Sequence, residues 1–293
     1  MKRRFLAAMV VTVLSVAALL AWGTAAMSSP AQRRGETVVV LHGLLTSPWH
    51  MKRIELALAR EGFDVVNWGY DSRAGTIEDH ARALHEAVRA LPPDRPVHFV
   101  GFSLGSLIIR YYLGHYEVPH AVRFVMIGPP NHGSELADFV FPAAWFRALA
   151  GSDATSQLRA SNHAFFDALG TPPVDVGIIA GGRGDDSGFS NVLPGDDDGR
   201  VSVESARLDG AKDFIVLPHR HVILLVANDA IHQIVRFITS GRFDHDLAAD
   251  ALGSGRAPMS VGTNLPLVGI LPVTATASRD SNTGRPMAHG DSP

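Results

Sequence analysis

The chain has 293 residues, 46% hydrophobic and 19% charged, which is enough apolar material for a large globular core and too much for a disordered or fibrous protein. Its formal charge of −3 carries no basic excess, so no nucleic-acid partner is expected. The absence of cysteine excludes disulfides, thiolate metal centres and a lipid-modified N-terminal cysteine.

Lys2, Arg3 and Arg4 precede an apolar run from Phe5 to Trp22 that only Thr12 and Ser15 interrupt, and small residues follow at Gly23 to Ala26. This is the layout of a secretory signal; the run is also just long enough to span a bilayer as an uncleaved anchor. Residues 1–26 are therefore expected to export the chain, leaving it periplasmic, anchored at the inner membrane or secreted. Association with a membrane is expected only through this segment. Residues 27–35 read as a polar linker.

From residue 36 onward, β-branched runs alternate with helical periodicity. TVVVLHG is a strand buried on both faces, and HMKRIELALAREG places Met51, Ile54 and Leu58 on one helical stripe that stops at Gly62. FDVVNWGY is the next strand. Thr76 and Asp79 form a capping box before the stripe Ile77, Ala81, Leu84, Val88 and Leu91. VHFVG, AVRFVMIG, VDVGIIAG and KDFIVLP are further strands, LGSLIIRYYLGH is a helix after the first of them, and NDAIHQIVRFI closes the domain with Ile231, Ile234, Val235 and Ile238 on a stripe. Such alternation implies an α/β fold: a mostly parallel central sheet with helices on both faces, over residues 36–242.

Two segments break the alternation. Residues 134–170 are apolar and aromatic without strand character and read as a small helical cap. Its Phe139, Phe141, Trp145, Phe146, Phe165 and Phe166 suit either an acyl pocket or lid, or simply the cap's own core. Residues 243–293 lack consistent periodicity and read as a disordered tail.

GFSLG, residues 101–105, joins a strand to a helix at the carboxyl end of the sheet, where ligands bind in such folds. A serine in this turn is pushed outward on a strained backbone, and flanking glycines avoid collisions there. Ser103 is thus the candidate nucleophile, and the Leu104 amide, first in the helix, the candidate donor to an oxyanion. An acid and then a histidine should follow in the chain. DDDGRVS and LPHRHVILL supply them after two later strands. Placement favours Asp198, beside Gly199, over the more easily solvated Asp196 and Asp197, and favours His221 over His219. LHGLL ends the first strand, where Gly43 allows a turn and the Leu44 amide becomes the second oxyanion donor. His42 is expected to brace that loop. The acidic stretch 184–198 has no regular ligand spacing and reads as solvated charge rather than a calcium site.

Together VVVLHGL, HFVGFSLGSLIIRYYL, VMIGPPNHGSELAD, DDDGRVSVESARL and LPHRHVILL resemble bacterial α/β-hydrolases of the lipase and esterase type over residues 36–242. The resemblance implies the α/β-hydrolase fold, Ser103 as nucleophile, Asp198 as acid and His221 as base, no cofactor, and a small-molecule or lipid ester as substrate. It also implies a structural role for His132. The chain departs from the family at Phe102, often histidine there, and at Val222, where a hydroxyl residue is common. A thioesterase or acyltransferase would use the same residues; a non-catalytic envelope binding or folding-helper protein would not need them.

Overall fold

The computed structural model describes residues 34–253. The expected signal or anchor, most of the linker and the distal tail lie outside the described residues. Six strands carry the domain: β1 (Thr37–Leu41), β2 (Asp64–Trp68), β3 (Val97–Phe102), β4 (Ala121–Ile127), β5 (Asp175–Gly181) and β6 (Asp213–Leu217). They form one sheet in the order β2-β1-β3-β4-β5-β6 with every pair parallel. β2 is shorter than its sequence run, because as the edge strand it pairs with β1 alone and ends at Trp68, opposite the end of β1 at Leu41.

Alternate side chains of each strand feed two cores. Val39, Leu41, Phe99, Phe124 and Met126 face α2 (Ile77–Arg89) and α3 (Leu104–His115). Val38, Val40, Val100, Val125 and Ile127 face α1 (Lys52–Arg60) and α9 (Asn228–Ser240). Burial on both faces explains why these strands read as unbroken apolar runs. Each such side chain contributes about 1.5–3 kcal/mol.

The helices follow their local signals. Met51, Ile54 and Leu58 are fully buried, and at α2 the Thr76 hydroxyl accepts from the Asp79 amide while the Asp79 carboxylate accepts from the Thr76 amide. In α9 the buried stripe is rotated from the expected one: Phe237 is fully buried and Val235 only partly. The cause is Gly177 on β5, whose missing side chain leaves the space that the Phe237 ring fills.

Between β4 and β5 lie four short helices, α4 (Glu135–Val140), α5 (Ala144–Ala150), α6 (Asp153–Gln157) and α7 (His163–Leu169). They form the expected cap. After β5, the acidic loop leads to α8 (Val203–Ala206) and then β6.

Order does not stop at residue 242. Buried Gln233 donates to the Asp244 carbonyl and accepts from its amide, Asp244 caps α10 (His245–Gly253) through the Leu247 amide, and Phe243 packs on Phe237 at 4.9 Å between ring centroids. The start of the sequence-read tail is therefore part of the domain. Among the described residues no helix is long and apolar enough to cross a membrane.

Candidate active site

Strand register sets the site. Leu41 pairs with Gly101, Phe102 with Ile127, and Gly181 with Leu217, so the loops after β1, β3, β4, β5 and β6 leave from one edge of the sheet. Ser103 leaves β3 at φ 52 and ψ −118. Leu45 is the other described non-glycine residue with positive φ. Such a backbone costs on the order of 1–3 kcal/mol and needs enforcement. The Ser103 amide donates to the Ile127 carbonyl at 2.9 Å, and the Ser106 hydroxyl donates to the Gly101 carbonyl at 2.7 Å. A Cβ at Gly101 would lie 2.6 Å from Ser106 Cα, and one at Gly105 would strike the His42 carbonyl. Both glycines are thus required by close approach of α3 to its neighbours.

His221 Nδ1 lies 2.6 Å from Asp198 Oδ2, with the two side chains 6% and 1% exposed. The other carboxylate oxygen accepts from the Arg200 and Val201 amides at 2.9 Å each, and the Asp198 carbonyl accepts from the His221 amide at 2.9 Å. Asp198 and His221 are locked together through backbone as well as side chain. With Nδ1 committed to the carboxylate, Nε2 is the imidazole's remaining proton acceptor. Gly128, after β4, gives the pair room: a Cβ there would come within 3.0 Å of the His221 ring. The Phe102 ring packs against His221 at 4.8 Å, so the departure from histidine at this position supplies packing.

The competing residues have other partners. Asp197 is wholly buried, against the expectation of a solvated loop charge, and accepts from the Gly199 amide at 2.6 Å and the Ser190 amide at 3.2 Å. Burial pushes its carboxyl up from the usual range. Asp196 accepts from the Arg183 and Gly184 amides. These carboxylates hold the acidic loop closed by satisfying its inward-turned amides, which a sequence of aspartates does not reveal. His219 Nε2 meets both carboxylate oxygens of Asp229 at 2.8 Å. His132 is exposed and only its amide, donating to the Ser205 carbonyl, is structural. Its neighbour Asn131 is the buried residue of that turn.

The loop after β1 is braced from several sides. A Cβ at Gly43 would be 3.0 Å from Ser103 Cβ, so this loop abuts the serine. Thr46 Oγ1 accepts from the Gly43 amide and donates to its carbonyl. His42 stacks on Tyr70 with centroids 4.4 Å apart; its Nδ1 contacts the Gly43 carbonyl, and its Nε2 receives the Tyr70 amide. Burial lowers the His42 pKa, which preserves Nε2 as an acceptor. The Tyr70 hydroxyl donates to the His42 carbonyl at 2.7 Å, and the Ser72 hydroxyl accepts from the Leu45 amide at 3.1 Å. Sequence reading missed Tyr70 and Ser72; the GYDSR stretch, polar and glycine-led just after a buried strand, was the available signal.

A cleft of about 690 Å³ opens here, with Ser103, His221 and Leu44 in one wall. The opposite wall is the cap, through Leu136, Val140, Trp145, Phe146 and Leu149. The six aromatic candidates divide. Trp145 and Phe146 line the cleft, whereas Phe139 is 70% exposed outside the lining, Phe141 faces the Arg147 and Arg159 guanidinium groups, Phe166 is buried in the core and Phe165 packs against it. Leu104 is fully buried at the start of α3, where the first amides of a helix lack intrahelical partners.

A second tie runs behind the serine. Buried Arg110 of α3 donates to the Gly170, Asn131 and Phe166 carbonyls, joining the serine's helix to the turn after β4 and to the cap. Desolvation lowers its pKa to about 10, so it stays charged at neutral pH.

The family of the alpha/beta hydrolase fold matches residues 36–165, a span that holds Ser103 and ends before Asp198 and His221. No curated protein matches the chain. Among solved structures, it is similar to Bacillus licheniformis lipase BlEst2 at 22% identity, over 72% of this chain and 95% of that one, with a TM-score of 0.58. Legionella pneumophila phospholipase PlaB aligns at 15% identity, over 75% of this chain and 62% of that one, with a TM-score of 0.54. The metagenomic carboxyl esterase MGS0156 aligns at 18%, over 67% and 68%, with a TM-score of 0.52. At these identities the likeness is one of fold. With the parallel six-stranded sheet and the helices on both of its faces, the chain has the α/β-hydrolase fold, and the family match, over less than half of its length, takes in the strand-to-helix turn at Ser103.

Proposed function

We propose that the protein is an exported serine hydrolase that cleaves carboxylic esters, lipid or smaller, through an acyl-enzyme on Ser103. The observation that carries this reading is the buried His221–Asp198 contact at 2.6 Å, bordering the same cleft as Ser103 on its strained turn. His221 Nε2 takes the Ser103 proton as Oγ attacks the ester carbonyl, and Asp198 holds the ring and stabilises the imidazolium. The amides of Leu44 and Leu104 donate to the oxyanion. His221 then returns the proton to the leaving alcohol, and water, deprotonated by the same nitrogen, releases the acid and frees the serine. Export is assigned to residues 1–26, outside the described residues.

A panel of p-nitrophenyl esters of graded chain length tests the reading. The wild type should turn over at least one of them, with Ser103→Ala and His221→Ala each reducing kcat by at least about a thousandfold. Turnover that survives in Ser103→Ala contradicts the mechanism, and no turnover of any ester contradicts the function. The chain-length optimum separates lipase from esterase.

A further inference from the structure

The cleft is apolar almost throughout, but it is not neutral. Its described lining contains no aspartate, glutamate or lysine, and Arg200 is the one lining residue with a permanent charge. That guanidinium projects from a backbone held on both sides. The Arg200 amide donates to Asp198 Oδ1 at 2.9 Å, and the Arg200 carbonyl accepts from the Ser134 hydroxyl at 2.9 Å. Its backbone is therefore fixed beside the carboxylate that holds His221, while its side chain is exposed. No described carboxylate lies within ion-pair distance of its side chain, whereas Arg159 and Arg183, on the cap and the acidic loop, are paired with Asp138 and Asp185. Asp198, the nearest acid in sequence, has its oxygens occupied by His221 and two amides. A second guanidinium, that of Arg220, flanks the same turn, 3.6 Å from where a Gly199 side chain would begin.

We infer that Arg200 binds a negative charge on the substrate, so that the ester taken by this cleft bears a carboxylate or phosphate group in addition to its scissile bond. This rests on the ester-hydrolase reading. A guanidinium is suited to the role because its planar fork of donors matches either oxyanion in a bidentate contact. Arg200 is an exposed residue of the lining, so its charge is within reach of a substrate and is screened by salt.

The test uses matched substrate pairs with the full chain. Mono-p-nitrophenyl glutarate against p-nitrophenyl valerate places a carboxylate on the acyl side; a lysophosphatidic acid against the monoacylglycerol of the same chain places a phosphate on the alcohol side. In at least one pair the wild type should favour the anionic member, and Arg200→Gln should lower the anionic-to-neutral ratio of kcat/KM several-fold, chiefly through the KM of the anionic member. Arg200→Lys should retain part of the preference, and added salt should erode it. Equal turnover of both members of both pairs by the wild type overturns the inference, as does an equal change for charged and neutral members in Arg200→Gln. Failure of all four substrates while the p-nitrophenyl panel is turned over overturns the inference alone; failure of the panel as well removes the ester-hydrolase reading, and the inference with it.

Discussion

The two walls of the cleft are made differently. The sheet-side wall is set by backbone: Ser103, the Gly43 loop and the Asp198 turn are each held by main-chain hydrogen bonds, and the Asp198 and His221 side chains are buried. The cap-side wall consists of side chains on helices of five to seven residues, with Trp145 66% and Leu149 51% exposed. Positions that must be accurate to a fraction of an ångström for proton transfer are over-determined, and positions that meet the variable part of a substrate are not. Chemistry and selectivity should therefore respond to different substitutions.

The largest expected effect breaks the sheet-side wall at its acid. Asp198→Asn keeps the shape but removes the charge that fixes the imidazole, and kcat should fall by about three to four orders of magnitude with little change in KM. Steady-state kinetics on the best ester of the panel measures this. Retention of a tenth of the activity would separate Asp198 from the chemistry.

Next come the braces behind the Gly43 loop. Tyr70→Phe removes the hydrogen bond to the His42 carbonyl and Ser72→Ala the one to the Leu45 amide, with the fold's core untouched. Each should lower kcat by about tenfold, less than the hundredfold or more for loss of an oxyanion donor itself, and leave KM nearly unchanged. A rise in KM with kcat preserved would move these residues from oxyanion support to substrate binding.

On the cap side, Trp145→Ala should shift the chain-length optimum of the ester panel by several-fold in kcat/KM, with the melting temperature within about two degrees of wild type, because so exposed a side chain contributes little to folding. Loss of activity on all chain lengths alike would erase the distinction between the two walls.

The smallest effect concerns acid. Burial lowers the pKa of His42, His80 and His98 below the ordinary 6.5. As pH falls through about 6.5 the unfolded chain takes up these protons first, so stability is lost on acidification, and above about pH 7 the three histidines contribute no pH dependence. Urea midpoints at pH 7.5 and 5.5 test this, the lower pH giving the lower midpoint. His42→Gln and His98→Gln should each narrow the gap.

How much of this was legible in the sequence depended on the range of the contacts. Strand and helix alternation is a local signal, and it carried the sheet and both cores. GFSLG could be placed because its requirements are met within a few residues, by β3 before it and α3 after it. Tyr70 and Ser72 act on partners 28 and 27 residues away, through hydrogen bonds that leave no periodic trace. The same holds for Arg110, whose acceptors lie 21, 56 and 60 residues on. Asp197 looked solvated because a run of three aspartates does so in isolation; its amide partners exist only once the loop closes. Which cap aromatics face the cleft was undecidable from short helices with weak stripes. α10 had one usable mark, Asp244 followed by a helix-compatible run ending at Gly253, and its packing on Phe237 depends on the whole domain.

The central claim is that Ser103 is made nucleophilic by His221 and Asp198, and the most direct measurement is covalent. The full chain is treated with a fluorophosphonate, digested, and the adduct located by mass spectrometry, beside Ser103→Ala and His221→Ala. The account predicts a single adduct on Ser103, absent in Ser103→Ala and formed far more slowly in His221→Ala. An adduct on another serine, or labelling of Ser103 that does not slow when His221 is removed, would contradict it.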